Sequence, residues 1–354
     1  MAGPESQFND VTLKEQPNSP KVGVHFMGYP HNPYDTESLQ IIRTSIRELL
    51  GLKVGRIRIL AEAAFTTPIE AQRKKELIEE IGFLGMSLFH FPINDVTLAE
   101  TREKADKIRS LGLFSAVNMG LIKPEELGHS YLFMMFDEFP TVEVEFETHS
   151  YSDEMVEKRE RDAKGAGSEA TVGKMFWEDG NFNEALKRRK YYYHTMQSIA
   201  ADRNPDIIEQ LFNDVLELKT EGGLIIPIFG SAHESSIMKP LRDRCGDRVW
   251  YRSIVVGGRK YPNRIIQLTR NESEAADDDY ARDILGELVM QSLHACSIER
   301  GNLGILSTNY LTYLHEVDGM LDEFSIDRIR AICENRESPL DIIRGNQVLS
   351  ALLG

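Results

Sequence analysis

The amino-acid sequence predicts an α/β fold: a mostly parallel central sheet flanked by helices, with two internally similar β-α-β halves and a helical C-terminal region. Two observations predict it. Short apolar runs bounded by Gly, Pro, Asn and Asp alternate with segments whose apolar residues recur at helical spacing, as parallel strands joined by crossover helices require. The order strand, loop, helix, strand also occurs twice, over residues 22–65 and 224–256.

Taken in order, Val22 to Met27 is a strand that ends in the turn cluster GYPHNPYD. A helix follows, with Thr36 as N-cap, Asp35 and Glu37 as capping carboxylates, and Leu39, Ile42, Ile46, Leu49 and Leu50 on one face before Gly51. Residues 56–65 alternate Ile57 and Ile59 with Arg56 and Arg58 and read as the second strand. Residues 68–84 and 97–111 read as helices with a strand at 86–93 between them. Residues 131–148 read as two strand pieces around a Pro break, a hairpin or edge strand with a solvent-facing side in TVEVEFE.

The stretch 150–181 has no sustained apolar period and contains GAGS, so it is expected to be a linker, lid or mobile insertion. Helices are expected at 182–201 and from Asn204-Pro205 to Leu218. The apolar run 224–230 is a strand, which Pro227 assigns to an edge or bulge. A helix over 231–246 carries Ile237, Leu241 and Cys245 on one stripe, and strands at 249–256 and 262–270 follow. From Asp277 the chain is helical, with short helices at 325–335 and 338–352. Residues 1–20 read as a polar tail, 21–270 as one α/β domain, and 271–354 as a helical region packed on it.

Composition narrows the function classes. The 354 residues carry 56 acidic and 41 basic side chains, a net charge of −15, so nucleic acid and anionic membranes are not expected partners. The three cysteines are odd in number and far apart, which argues against a disulfide framework or a cysteine zinc site. Residues 1–20 show no basic start followed by an apolar core, and the longest apolar runs are far short of a bilayer span. A cytoplasmic protein without a membrane partner is expected.

Two of the nine histidines follow a glycine by three residues, His31 in GYPH and His233 in GSAH. Each closes a strand and opens a helix, the position where open α/β sheets gather ligand sites. Glu62, in ILAEAAF at the end of the strand that completes the first unit, is the third candidate. A carboxylate in an apolar stretch either pairs with a base, here Arg56 or Arg58, or serves a site. Two imidazoles and a carboxylate suit a divalent transition metal (Mn, Co, Fe or Zn), with His31, His233 and Glu62 as ligands or Glu62 as general base. Each histidine bonding only its own turn is the plain alternative. His25 reads as packed within its strand; His90 and His149, near strand ends, read as satisfied core or surface residues, with completion of a metal shell as the alternative, and Arg259 in GGRK is a candidate contact for an anionic substrate group.

With these residues in place, the sequence resembles the TraB/TIKI group of the erythromycin-esterase and ChaN-like superfamily. The paired G-x-x-H motifs and the glutamate ending the first β-α-β unit carry the resemblance, over residues 20–260. It implies an α/β domain in which both histidines and the glutamate line one pocket. It further implies metal-dependent peptidase activity in one branch, lactone hydrolysis in another and haem binding in a third. The family pattern has an Arg followed by Asp or Asn ahead of a Met on the helix before the second motif. Sought at Met196, that pair is missing, since Tyr192 and Tyr193 precede it and the nearest arginine is Arg189. His194 is then the polar group that helix would turn to the pocket. The leading expectation is a metal-dependent hydrolase acting on a peptide or small-molecule substrate, with the 150–181 segment as a lid and a homo-oligomer possible. The rivals are a non-catalytic haem- or peptide-binding module using YYY (191–193) and YLFMMF, and a metal-free esterase with a histidine base.

Overall fold

A computed structural model describes residues 22–29, 32, 34–51, 55–62, 68–88, 95–149, 153–230, 233–246, 249–255, 268 and 276–352. The N-terminal tail and, Leu268 apart, the 262–270 strand lie outside these residues, as do His31, His90 and Arg259. Among them five strands form one sheet: β1 (Val22–Tyr29), β2 (Arg56–Ala61), β3 (Glu143–Phe146), β4 (Gly223–Gly230) and β5 (Val249–Val255). All pairings are parallel, in the order β3-β2-β4-β1-β5. The connections run through α1 (Thr36–Gly51), α2 (Pro68–Leu88), α3 (Asp95–Leu111), α4 (Leu113–Asn118), α5 (Leu127–Asp137), α6 (Asp153–Glu178), α7 (Phe182–Leu218) and α8 (Glu234–Cys245). The C-terminal region is α9 (Asp277–Glu299), α10 (Leu303–Thr308), α11 (Tyr310–Asp322), α12 (Ile326–Glu334), α13 (Pro339–Ile343) and α14 (Gln347–Ser350). The predicted α/β class with a helical C-terminal region is the one observed. No helix among the described residues is long and apolar enough to cross a membrane.

The strand order is symmetric about the β4–β1 boundary. The partner of β1 in the first unit, β2, lies beyond β4; the partner of β4 in the second unit, β5, lies beyond β1. Strand alternation divides the core accordingly. On one face Met27, Ile57, Ile59, Leu224, Ile226 and Ile228 meet Leu39, Ile42, Ile46 and Leu49 of α1. On the other, Val24, Phe26, Leu60, Ile225 and Phe229 meet Ile207, Leu211 and Val215 of α7 and Ile237 and Leu241 of α8. The chain thus leaves the neighbouring strands β1 and β4 toward opposite faces, a topological switch point of the kind at which open α/β sheets gather ligand sites.

Several local expectations are overturned. Pro227 lies in the central strand β4, not at an edge. Against β1 the ladder pairs Gly223, Leu224 and Ile225 and then Ile228, Phe229 and Gly230, so the proline falls in a gap where no N–H is needed from it. The strand expected at 86–93 is helical as far as Leu88. Helix α2 breaks at Gly82 (φ 75°), and Asp137 of α5 accepts from Phe83 N (2.7 Å) and Leu84 N (3.3 Å), restarting the helix after the break. The first half of the expected hairpin at 131–148 is helix α5, buried on several sides through Leu132, Phe133, Met135 and Phe136. A fully buried helix loses its amphipathic period and reads like a strand. The second half is an edge strand, β3, but parallel to β2.

The 150–181 segment is the largest correction, because residues 153–178 form helix α6. Its buried positions are Ala166, Gly173 and Trp177, two of them small, so close approach to α7 replaces an apolar stripe. Ion pairs Arg159–Asp202 and Arg188–Glu169 join the two helices. Likewise the two helices expected at 182–201 and 205–218 are one, α7, with Pro205 inside. An interior proline costs about 3 kcal/mol, and α7 withstands it because both ends are anchored. Phe182, Ala185, Leu186 and Tyr193 pack in the C-terminal helical core, and Ile207, Leu211, Val215 and Leu218 pack on the sheet.

Candidate functional site

Residues 203–206 fall where α7 passes from the helical core to the sheet, level with the C-terminal ends of β2, β3 and β4. Glu62 and Glu147 each continue the ladder one residue past a strand, Glu62 N donating to Ile228 O (3.0 Å) and Glu147 N to Ala61 O (3.0 Å). Since Ala61 pairs with Phe146, the two carboxylates stand at the same register on neighbouring chain segments. Like charges so placed repel, and Arg203 of α7 lies between them. Its Nη2 donates to Glu62 Oε1 (2.9 Å) and also to Glu147 Oε1, and its Nε donates to Glu147 Oε1 (3.0 Å). Burial alone would lower the Arg203 pKa, but the charges of Glu62 and Glu147 outweigh it and hold the guanidinium above its ordinary value. The other Glu62 oxygen accepts from Gly230 N (2.7 Å).

His233 caps the start of α8 and is buried. Asn204 of α7 sets its tautomer. Asn204 Nδ2 donates to Ser236 Oγ (2.8 Å), which directs Asn204 Oδ1 to His233 Nδ1 at 2.7 Å. Nδ1 must therefore carry a proton, and Nε2 faces Glu62 Oε1 at 3.7 Å. Two of the three sequence candidates, Glu62 and His233, thus converge. His31, the third, lies outside the described residues; it follows by two positions Tyr29, which pairs with Gly230.

Comparison with protein-family models, curated proteins and solved structures finds no match. The site is therefore read from its own chemistry.

Sequence reasoning missed Arg203, Asn204, Glu147 and the role of His149. The groups of α7 that meet Glu62 and His233 are Arg203 and Asn204, seven and eight residues past Met196. His194 is exposed, so the polar groups α7 turns to the site are Arg203 and Asn204. The partner of Glu62 is Arg203, not Arg56 or Arg58, which bind Glu143 and Glu217; Arg58 also pairs with Asp214 (2.6 Å). Of the residues named for a haem or peptide module, Met135 lies in the core and Tyr193 donates to Asp283 (3.0 Å), while Tyr191 is exposed.

The available signal was a stripe on α7. Arg203, Asp206, Gln210, Asp214 and Glu217 recur at helical spacing, and each bonds the β2–β3 side of the sheet. Gln210 pins the segment after β3 by accepting from Thr148 N and donating to Phe146 O, both at 3.1 Å.

Among the described residues no group of three His, Cys, Asp or Glu side chains is placed to hold a metal ion. Glu62 and His233 supply two donors, and the Glu62 oxygen nearer His233 already carries the Arg203 guanidinium. A cation bound there would sit against a fixed positive charge. The described donor set therefore does not fit a metal centre.

Proposed function

We propose that the chain is a hydrolase of ester or amide bonds in a small molecule or peptide, of the TraB/TIKI-like kind, in which His233 is the general base. The observation that carries this reading is the His233 ring, fixed on Asn204 through Nδ1 with Nε2 turned to a carboxylate 3.7 Å away. A water at Nε2 gives up a proton to that nitrogen as its oxygen bonds the acyl carbon. The resulting imidazolium is stabilised by Glu62 and returns the proton to the leaving group as the carbon–heteroatom bond breaks. Arg203 and Gly230 N hold Glu62 in place, so its charge is present before the imidazolium forms. The switch point between β1 and β4 is where substrate enters. His31, two residues past Tyr29 in the sequence, is the second imidazole of the paired G-x-x-H motifs and is kept as a candidate for this chemistry.

The test is turnover of p-nitrophenyl esters, lactones and short peptides by the purified chain. Activity that falls about 100-fold or more in His233→Ala and Glu62→Gln and persists in chelator supports the reading. Equal activity in both variants overturns it. Loss in chelator with recovery on adding Mn²⁺ or Zn²⁺ would overturn the metal-free mechanism and assign His31, His233 and Glu62 to a metal.

A further inference from the structure

We propose that Glu147 and His149, on the segment leaving β3, are positioning residues that fix Glu62 through Arg203; this rests on the hydrolase reading for its catalytic consequence. Both side chains are fully enclosed, Glu147 at 0% and His149 at 1% exposure. Glu147 Oε1 takes both Arg203 donors and is 3.0 Å from His149 Nε2. His149 Nδ1 is 3.1 Å from Asp206 Oδ2, on the next turn of α7 from Arg203. The connected order is Asp206, His149, Glu147, Arg203, Glu62, running from a half-buried carboxylate inward to the proposed site.

Three features separate this arrangement from simple packing. Arg203 Nη2 is shared by the two carboxylates, so the angle at which it meets Glu62 depends on its hold on Glu147. The guanidinium fork has fixed geometry, and a bond at Nε as well as Nη2 removes its rotation. Finally, Glu147 Oε2 is buried without a hydrogen-bond partner among the described residues. Leaving a carboxylate oxygen bare costs stability, and an apolar residue would fill the space at less cost. What the carboxylate supplies is the oxygen that grips Arg203 and His149.

The experiment compares wild type, Glu147→Gln and Asp206→Asn by ester turnover and by ring-¹⁵N histidine NMR of His233. Freeing Arg203 from Glu147 is expected to lower kcat about 10- to 100-fold with KM within about twofold, because the base is misplaced while substrate contacts are kept. The His233 ring signals should shift in the same variant. Asp206→Asn, at the outer end, should give the same pattern at smaller size, about threefold, and decides the matter if Glu147→Gln does not fold. Wild-type kcat and wild-type His233 signals in folded Glu147→Gln, or in Asp206→Asn where it alone folds, overturn the proposal. A lowered melting temperature with both readouts unchanged per folded molecule also overturns it, since that is packing alone. If wild type hydrolyses nothing, the hydrolase reading fails, and the His233 signals still test the positioning.

Discussion

Replacing His294 by phenylalanine should flatten the acid sensitivity of the fold. His294 lies on α9 with its ring stacked on Tyr34 (centroids 3.8 Å apart) and near-parallel to Tyr310 (5.9 Å, 6°). Neither ring nitrogen has a hydrogen-bond partner among the described residues, and burial pushes the imidazolium pKa down from 6.5 to about 4. The unfolded chain therefore binds this proton more readily than the folded one. Stability is full above pH 6.5 and is lost as pH falls toward 4. At pH 5 the deficit relative to pH 7 is about 2 kcal/mol, from 1.36 kcal/mol per tenfold change in proton affinity. Phenylalanine keeps the stack and cannot take the proton. At pH 7 the two proteins should differ by about 1 kcal/mol or less, because relief of the unmet ring nitrogens is offset by the larger ring in a packed slot. Urea unfolding followed by tryptophan fluorescence at pH 7 and pH 5 measures both quantities. If wild type and His294→Phe lose equal stability between these pH values, the assignment of His294 as a buried neutral imidazole is wrong.

Arg58→Met should destabilise by about 3–5 kcal/mol in urea melts, because the buried network loses the cation that Asp214, Glu143 and Glu217 share. Asp214 itself is held up by burial and by Glu145, from 3.8 to about 7, so the folded chain keeps its proton where the unfolded chain has lost it. Its effect is a loss of stability as pH rises from about 4 to about 7, and Asp214→Asn should lose less over that window than wild type. Gly223→Ala would set a Cβ 2.5 Å from the Arg56 carbonyl, and thermal unfolding should show a loss of about 1–3 kcal/mol as β2 and β4 part. Tyr310→Phe removes the acceptor of the Asn32 side chain (2.6 Å); a loss of about 1 kcal/mol is expected in the same assay.

The contacts of Asn32, Tyr34 and Glu37 tie the start of α1 to the C-terminal region. Asn32 donates to Tyr310, Tyr34 stacks on His294, and Glu37, expected as a cap, accepts from Leu311 N (2.9 Å). The capping role expected of Asp35 is observed, with Asp35 accepting from Ser38 N and Ser38 Oγ. Local spacing assigned Asp35 correctly and gave Glu37 the wrong partner, because a partner 274 residues away leaves no local trace.

By itself the sequence predicted strands at 22–27, 56–65, 224–230 and 249–256, which the structure shows as Val22–Tyr29, Arg56–Ala61, Gly223–Gly230 and Val249–Val255, and it named Glu62 and His233 as candidates. Those features are written in period, turn residues and motif position, all of which act over a few residues. Tertiary structure decided which strands are neighbours, that Pro227 is central, that 153–178 is a helix packed through small residues, and that Arg203 binds Glu62. These depend on burial and charge pairing between distant segments. A carboxylate in an apolar run announces that it needs a cation, but only the fold brings Arg203, 141 positions further along, to within 2.9 Å of it.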